Sequence, residues 1–325
     1  MDTLRISKIL RENVVVFALV VIVAIMSIVS NLFFTIENFK NIFNQIAIYG
    51  IVAFGMTFAI ICGEFDLSCG SLLAVVTILF TDIAKNKNVP VAILVCLGFS
   101  VLIGFINGFL VSKVKMSAFV ATLASNIALK GFALNYTKGR PINYVNDNIN
   151  NFGNGSVLGI PIIVWFFIVT MLISMYILRY TKFGRGIYAT GGNIEVARMA
   201  GINVSFYKIA IFVIMGITTA IAGILMAARL SAGNALYGND LALTVVAAVV
   251  IGGTSLAGGK GNALKTLWGM LVIGVLFNAL MILGVQANWQ NVVKGAILIA
   301  VVAVDAVFSK KKLIQQIVTD KKTAV

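Results

Sequence analysis

The strongest constraint on this chain is a repeated one. Apolar runs of about 20 residues follow one another from Val14 to Phe308, separated by short polar breaks. About 30 Å of hydrocarbon takes roughly 20 helical residues to cross. Reading the runs against glycines, prolines and charges gives ten expected spans, near 14–34, 42–62, 67–83, 90–112, 117–136, 160–178, 206–228, 241–257, 264–284 and 289–308. The third is short, and the fifth carries Asn126, Lys130 and Gly131. The fold expected is an all-α integral membrane protein of about ten transmembrane helices.

Composition agrees. Apolar residues make up 60% of the 325, charged residues only 11%, and the mean hydropathy is +1.02, too apolar for a soluble domain to cover its core. The formal charge is +14 with no histidine. A nucleic-acid binder would gather its basic residues on one exposed face. Here they sit in loops and tails between apolar runs, where they anchor on an anionic lipid surface. The expected partner is the bilayer, with no nucleic acid. Cys62, Cys69 and Cys96 have neither metal-ligand spacing nor a disulfide framework, and read as small buried residues. Arg5, Lys8 and Arg11 precede the first run as in a signal peptide, but the run is long and lacks a small-residue cleavage site. It reads as an uncleaved span.

Lysine and arginine accumulate on the cytosolic side of membrane proteins. With a cytosolic N-terminus, the inner segments carry seventeen of them and the outer segments six, so both termini are expected inside. The chain then divides into a cytosolic segment 1–13, a membrane domain 14–308 with a long inner loop 179–205, and a basic tail 309–325. Lys310, Lys311 and Lys312, followed by Leu313, Ile314 and Ile317, mark the tail as a surface anchor. A faint internal echo links Leu102–Asn107 with Val272–Asn278, and Asn126…Lys130-Gly131 with Asn291…Lys294-Gly295. Five spans separate the copies, so a true repeat would be inverted. The register slips by one residue, and chance similarity explains the echo as well.

Three interruptions carry the information. In Gly63-Glu64-Phe65-Asp66-Leu67-Ser68-Cys69-Gly70-Ser71, two acids stand beside hydrocarbon, where an aspartate at mid-span costs about 2.5–3.5 kcal/mol. Asp66 and Ser68 suit the N-cap of the third span, and Gly63 and Gly70 allow a tight bend and close helix approach. The segment reads as a capped, helix-breaking turn, with a pathway-lining role compatible. The inner loop Gly192-Asn193-Ile194-Glu195-Val196-Ala197-Arg198-Met199-Ala200-Gly201 spells a complete short helix. Asn193 is its N-cap, Glu195 lies in the first turn, and Gly201 follows its end. A helix of about seven residues is marginal alone and needs a groove to dock in. In the third stretch, Gly252-Gly253-Thr254-Ser255-Leu256-Ala257-Gly258-Gly259-Lys260-Gly261, the glycines and lysine tempt a phosphate-loop reading. Thr254 and Gly261 stand where a Walker loop needs Gly and Ser or Thr. The stretch reads as a tight or re-entrant inner turn.

Asp66-Leu67-Ser68 with Gly70-Ser71, Gly139-Arg140-Pro141-Ile142, Gly192-Asn193 to Gly201-Ile202, and Gly252-Gly253-Thr254-Ser255-Leu256 with Gly258-Gly259 occur in this order. Together they resemble the permeases of ribose-type ATP-binding-cassette importers, the simple-sugar branch, over about Ile42 to Ala306. Phe65 and Cys69 depart mildly from the usual aliphatic residue and valine. The resemblance implies two permease subunits, cytosolic ATPases that bind the ATP, and an extracytoplasmic binding protein that delivers a sugar. It implies a location in the bacterial cell membrane and no cofactor in this chain. It also carries a coupling role onto Gly192, Asn193, Glu195, Ala197, Arg198 and Gly201. Transport would be alternating access driven by the partner ATPases.

A neutral sugar needs few charges along its route. Asn107, Thr122, Ser125, Asn126 and Asn278 are candidate pore groups, though each reads more readily as an interhelical hydrogen bond than as a sugar contact. An ion-coupled secondary transporter would want acids or histidines deep in spans, whereas Asp305 falls near the inner interface. An enzyme would need a nucleophile–base pair or metal ligands, and the sequence offers neither.

Overall fold

The computed structural model describes residues 14–286, 288–297, 299–300 and 303. The expected N-terminal segment, the basic tail, Asp305 and the end of the tenth span lie outside the described residues. In chain order the helices are α1 (Val14–Val29), α2 (Ile36–Ile61), α3 (Cys69–Asn86), α4 (Val89–Ser112), α5 (Ala118–Thr137), α6 (Asp147–Asn154), α7 (Ile162–Tyr180), α8 (Lys182–Gly192), α9 (Ile194–Met199), α10 (Val204–Leu230), α11 (Leu241–Ile251) and α12 (Ala263–Ile282). Residues 288–297 are also helical. Two-residue strands β1 (Ile142–Asn143) and β4 (Ala232–Gly233) pair antiparallel, as do β2 (Ser156–Val157) and β3 (Ile160–Pro161).

Local sequence starts these helices. Thr35, Asn88 and Asn262 cap α2, α4 and α12 by accepting from the amides of Asn38, Val91 and Lys265, satisfying donors that hydrocarbon would leave bare. Among the described residues, seven helices are long and apolar enough to span a membrane: α2, α3, α4, α5, α7, α10 and α12. They fall within a few residues of seven of the ten expected spans, including the uncertain third and fifth. The first expected span is the shorter α1, and the eighth is α11, only 11 residues long. It stops at Gly252 because Gly253 turns the chain at φ +95°.

Helix α10 is the hub, packed on α4, α2 and α3. Its tightest crossing is with α4. A Cβ at Gly104 would overlap the Phe212 carbonyl, one at Gly108 would lie 2.7 Å from the Ile209 Cα, and one at Gly216 would overlap the Ser100 carbonyl. Gly104 and Gly108 are a small-xxx-small pair that lets two backbones touch, a main source of helix association where water does not drive it. Beside this crossing, α2 contributes a run of fully buried side chains that includes Ile51, Phe54, Met56 and Phe58.

Two long helices are each followed by a break and a shorter helix. The 26 residues of α2 lead through 62–68 into α3, and the 27 of α10 lead through 231–240 into α11. The second break descends along α3, with Gly233 against Ile78 and Gly238 against Gly70. Eight helical residues separate those contacts, so the chain re-enters the bundle by about 12 Å. One end of the bundle gathers the 62–66 turn, α8, α9 and the 252–262 turn, while the other holds β1 and β4.

Candidate functional site

The break after α2 is built from hydrogen bonds. Asp66, 2% exposed, accepts from the Ser68 amide at 2.7 Å and the Ser68 hydroxyl at 2.6 Å. Ser68 occupies the N-cap position of α3 yet makes no capping bond itself; its hydroxyl donates to the Asp66 carboxylate. Asp66 thus closes the turn onto Ser68, and the expected side-chain cap of α3 by Asp66 or Ser68 does not form. Asn107 on α4 donates to the Ser68 oxygen at 3.0 Å and accepts from Ser125 on α5. The Leu67 amide donates to Thr122 at 3.1 Å, and the Ser71 hydroxyl to Asn126 at 2.6 Å. Burial pushes the Asp66 carboxyl up, against the pull of the two Ser68 bonds. Losing an acceptor in so dry a place costs about 1–3 kcal/mol.

The structure thus brings Asp66, Ser68, Ser71, Asn107, Thr122, Ser125 and Asn126 into one layer joining three helices. Asn278 is elsewhere. It exchanges amide hydrogen bonds with Asn38 at 2.7 and 3.1 Å, locking α12 to α2. Phe65 stacks edge-on against Phe119 with centroids 6.5 Å apart. The three cysteines are free and buried.

At the other cluster, three glycine-bearing turns interlock. The Gly259 amide donates to the Ile61 carbonyl at 2.8 Å. A Cβ at Gly191 would overlap that carbonyl, and one at Gly258 would lie 2.6 Å from the Gly191 oxygen and 3.1 Å from the Gly63 Cα. Tyr188 of α8 donates to the Gly261 carbonyl at 2.7 Å, and Lys208 of α10 pairs with Glu64. The end of α2, the α8–α9 corner and the 252–261 turn therefore form one backbone-to-backbone junction. Gly252 packs on α12 at Lys265, while Gly253 makes the turn itself. Of the glycines in this turn, Gly252, Gly258 and Gly259 face other backbone, and Gly261 faces the Thr254 side chain.

From this junction α9 projects outward. Asn193 accepts from the amides of Glu195 at 2.9 Å and Val196 at 3.1 Å. Gly201, at φ +78°, lets its own amide reach the Arg198 carbonyl and the Ile202 amide reach Ala197. That bond pair is a Schellman close, and glycine adopts its left-handed backbone without strain. Ala197 is buried, while Glu195, Arg198 and the apolar Val196 and Met199 are exposed, Met199 at 81%. The six-residue helix is one residue shorter than expected. The sequence reading also missed α8, which fills the first half of the loop.

One polar group escaped the sequence altogether. Asp240, at the foot of the re-entrant break, pairs with Lys294 and accepts from Tyr49 at 3.1 Å. Its neighbour Asn239 accepts from Lys130 at 3.1 Å. Lys130 and Lys294 were visible as charges within spans, but nothing local shows what they meet.

Comparison with known proteins places this geometry. Residues 38–302 match the family model described as branched-chain amino acid transport system / permease component. The ribose import permease protein of Haemophilus influenzae is 38% identical over 95% of this chain and 97% of its own length. That of Escherichia coli K12 is 40% identical over 91% and 94%. The xylose transport system permease protein of Haemophilus influenzae is 30% identical over 93% and 98%. No solved structure shows a significant match. With a family match over most of the chain and relatives of this identity aligned nearly end to end, the chain belongs to this family of transport-system permease components.

Proposed function

We propose that this chain is the membrane-spanning permease subunit of an ATP-binding-cassette importer that moves a monosaccharide, ribose or a close relative, into the cytosol. The match to ribose and xylose permeases supports the substrate class. The observation that carries the mechanism is α9, a helix closed at both ends and projecting exposed apolar side chains from a rigid junction. So short a helix keeps its shape through its caps and its seat, and exposed Val196 and Met199 want a protein groove. That groove belongs to a cytosolic ATPase, which binds the ATP. The excess of lysine and arginine on the α9 side supports a cytosolic location for that side, and the bacterial relatives support a bacterial cell membrane.

Charges at membrane depth face protein or water rather than lipid. The Lys294–Asp240 pair is part-exposed on the flank of a single chain, so a second permease subunit covers that flank and the two enclose the pathway. A homodimer is the simplest arrangement. An extracytoplasmic binding protein delivers sugar to its outer mouth. ATP binding closes the motor, which pulls on α9, and the junction passes that displacement to α2 and α12 at once.

Glu195→Lys reverses the charge at the start of α9, and Gly201→Trp forces a bulky residue into the left-handed position, at roughly 1–2 kcal/mol. Both variants are expected to insert normally and to lose ATP-driven uptake in vesicles containing all partners. Full uptake by both would overturn the coupling role of α9.

A further inference from the structure

The two lysines inside spans converge on neighbouring residues of one turn. Lys130 of α5 bonds Asn239, and Lys294 of the 288–297 helix bonds Asp240. Each is followed by glycine and preceded by an asparagine (Asn126, Asn291). These are the echoed segments of the two halves, so the structure gives the echo a shared target. The target is the place where the break before α11 meets the first turn of α3, at Gly238 and Gly70. Irregular backbone at membrane depth is tolerated where it is packed in protein or lines a cavity. Interrupted helices in corresponding positions of two halves mark the substrate site of many transporters.

Cavities adjoin this turn on every side. One of about 290 Å³ lies between Asp240, Asn291, Lys294 and Phe277. A second of about 240 Å³ shares Asp240, Phe277 and Lys294 and adds Gln45 and Tyr49. A third of about 190 Å³ runs past Asn239 and Lys130 to Asn126 and Ser71, joining the polar layer. The first holds roughly ten waters at ~30 Å³ each, room for one monosaccharide.

We propose that the 239–240 turn, with Lys130, Lys294 and Phe277, is a polyol-binding subsite within the membrane, an assignment that rests on the importer reading. Asp240 and Lys294 neutralise each other, while Lys130 keeps its charge beside the neutral Asn239. A sugar hydroxyl both donates and accepts, so it can insert between carboxylate and ammonium without leaving either bare. Asn239, Asn291 and Thr244 line the same cavity and supply further neutral partners for hydroxyls. Phe277 offers a ring for the apolar face of a sugar, now held by the Lys294 ammonium 4.8 Å from its centroid. Binding stays weak by construction, since ligand must break an existing ion pair, and a conducting site must release what it takes.

The test is saturation-transfer NMR on the assembled transporter in nanodiscs, without the binding protein, titrated with D-ribose and separately with L-leucine. The expected result is a ribose signal that falls at least fivefold in the paired variant Asp240→Asn with Lys294→Gln, and no leucine signal. Phe277→Leu, which spares the ion pair, is expected to reduce the ribose signal likewise and stands in if the paired variant misassembles. An undiminished ribose signal in either well-assembled variant, or a leucine signal without a ribose one, overturns the subsite. ATP-driven ribose uptake by the same wild-type preparation separates the two readings. Uptake with no ribose signal removes only the subsite, and no uptake removes the importer assignment beneath it.

Discussion

Replacing Gly191 by valine yields a protein that inserts into the membrane and imports almost nothing. A side chain there has to enter the space held by the Ile61 carbonyl and displace the Gly259 amide bonded to it. Backbone cannot rotate aside as a side chain can, so the α8–α9 corner separates from α2 and from the 252–261 turn. Overpacking of this kind costs about 1–3 kcal/mol. Spent on the coupling equilibrium, that corresponds to roughly 5–150-fold. The clash is confined to the end of α2 at Ile61 and Cys62, and the rest of the spans keep their packing. Gly192→Ala is the control, because a Cβ at that position meets nothing within 4 Å. Uptake by vesicles containing each variant and its partners, set against the amount of inserted protein, separates a broken junction from a missing protein.

Gly104→Leu acts at the other extreme and is expected to remove the folded protein. The α4–α10 crossing carries the largest contact in the bundle, and Gly104 meets the Phe212 backbone directly. Four added carbons cannot be accommodated by rotamer changes, so the helices must part, and α10 also holds α2 and α3. Gly98→Leu, six residues earlier on the same helix, adds the same side chain where a Cβ has open space, and is expected to fold normally. Yield of monodisperse protein in detergent, with its melting temperature, reads both.

How far these features were legible in the sequence depends on the range of the interactions that make them. Spans are written in hydropathy, so α2, α3, α4, α5, α7, α10 and α12 could be read to within a few residues. The ends of α9 are written locally too, in Asn193, Glu195 and Gly201, since caps involve only neighbouring residues. By contrast α8, with its four glycines, has poor intrinsic helix propensity. It forms because Gly184 seats against Leu178 and Gly186 against Tyr207, contacts only the fold supplies.

The functional residues divide the same way. Asp66, Ser68 and Asn107 were suspect as polar groups beside hydrocarbon, and tertiary structure supplied their partners. Asn278 looked like its counterpart in the echo, yet its partner is Asn38 and not the polar layer. Asp240 was hidden because residues 231–240 read as an ordinary outer loop. Its depth follows from the contact of Gly238 with Gly70, far apart in the chain. In the glycine–lysine stretch at 252–261, Gly258 and Gly259 meet Ile61, Gly63 and Gly191, contacts that no local pattern reveals.

The central claim is that this chain is the pathway of a machine whose motor is another protein. The direct measurement is uptake of labelled ribose by sealed vesicles holding this chain and its cognate ATPase, with loaded binding protein outside. The account predicts accumulation that requires ATP inside, stops when the ATPase or the binding protein is left out, and ignores collapse of proton and sodium gradients. Ribose accumulation by the permease alone, driven by an ion gradient without ATP, would contradict it.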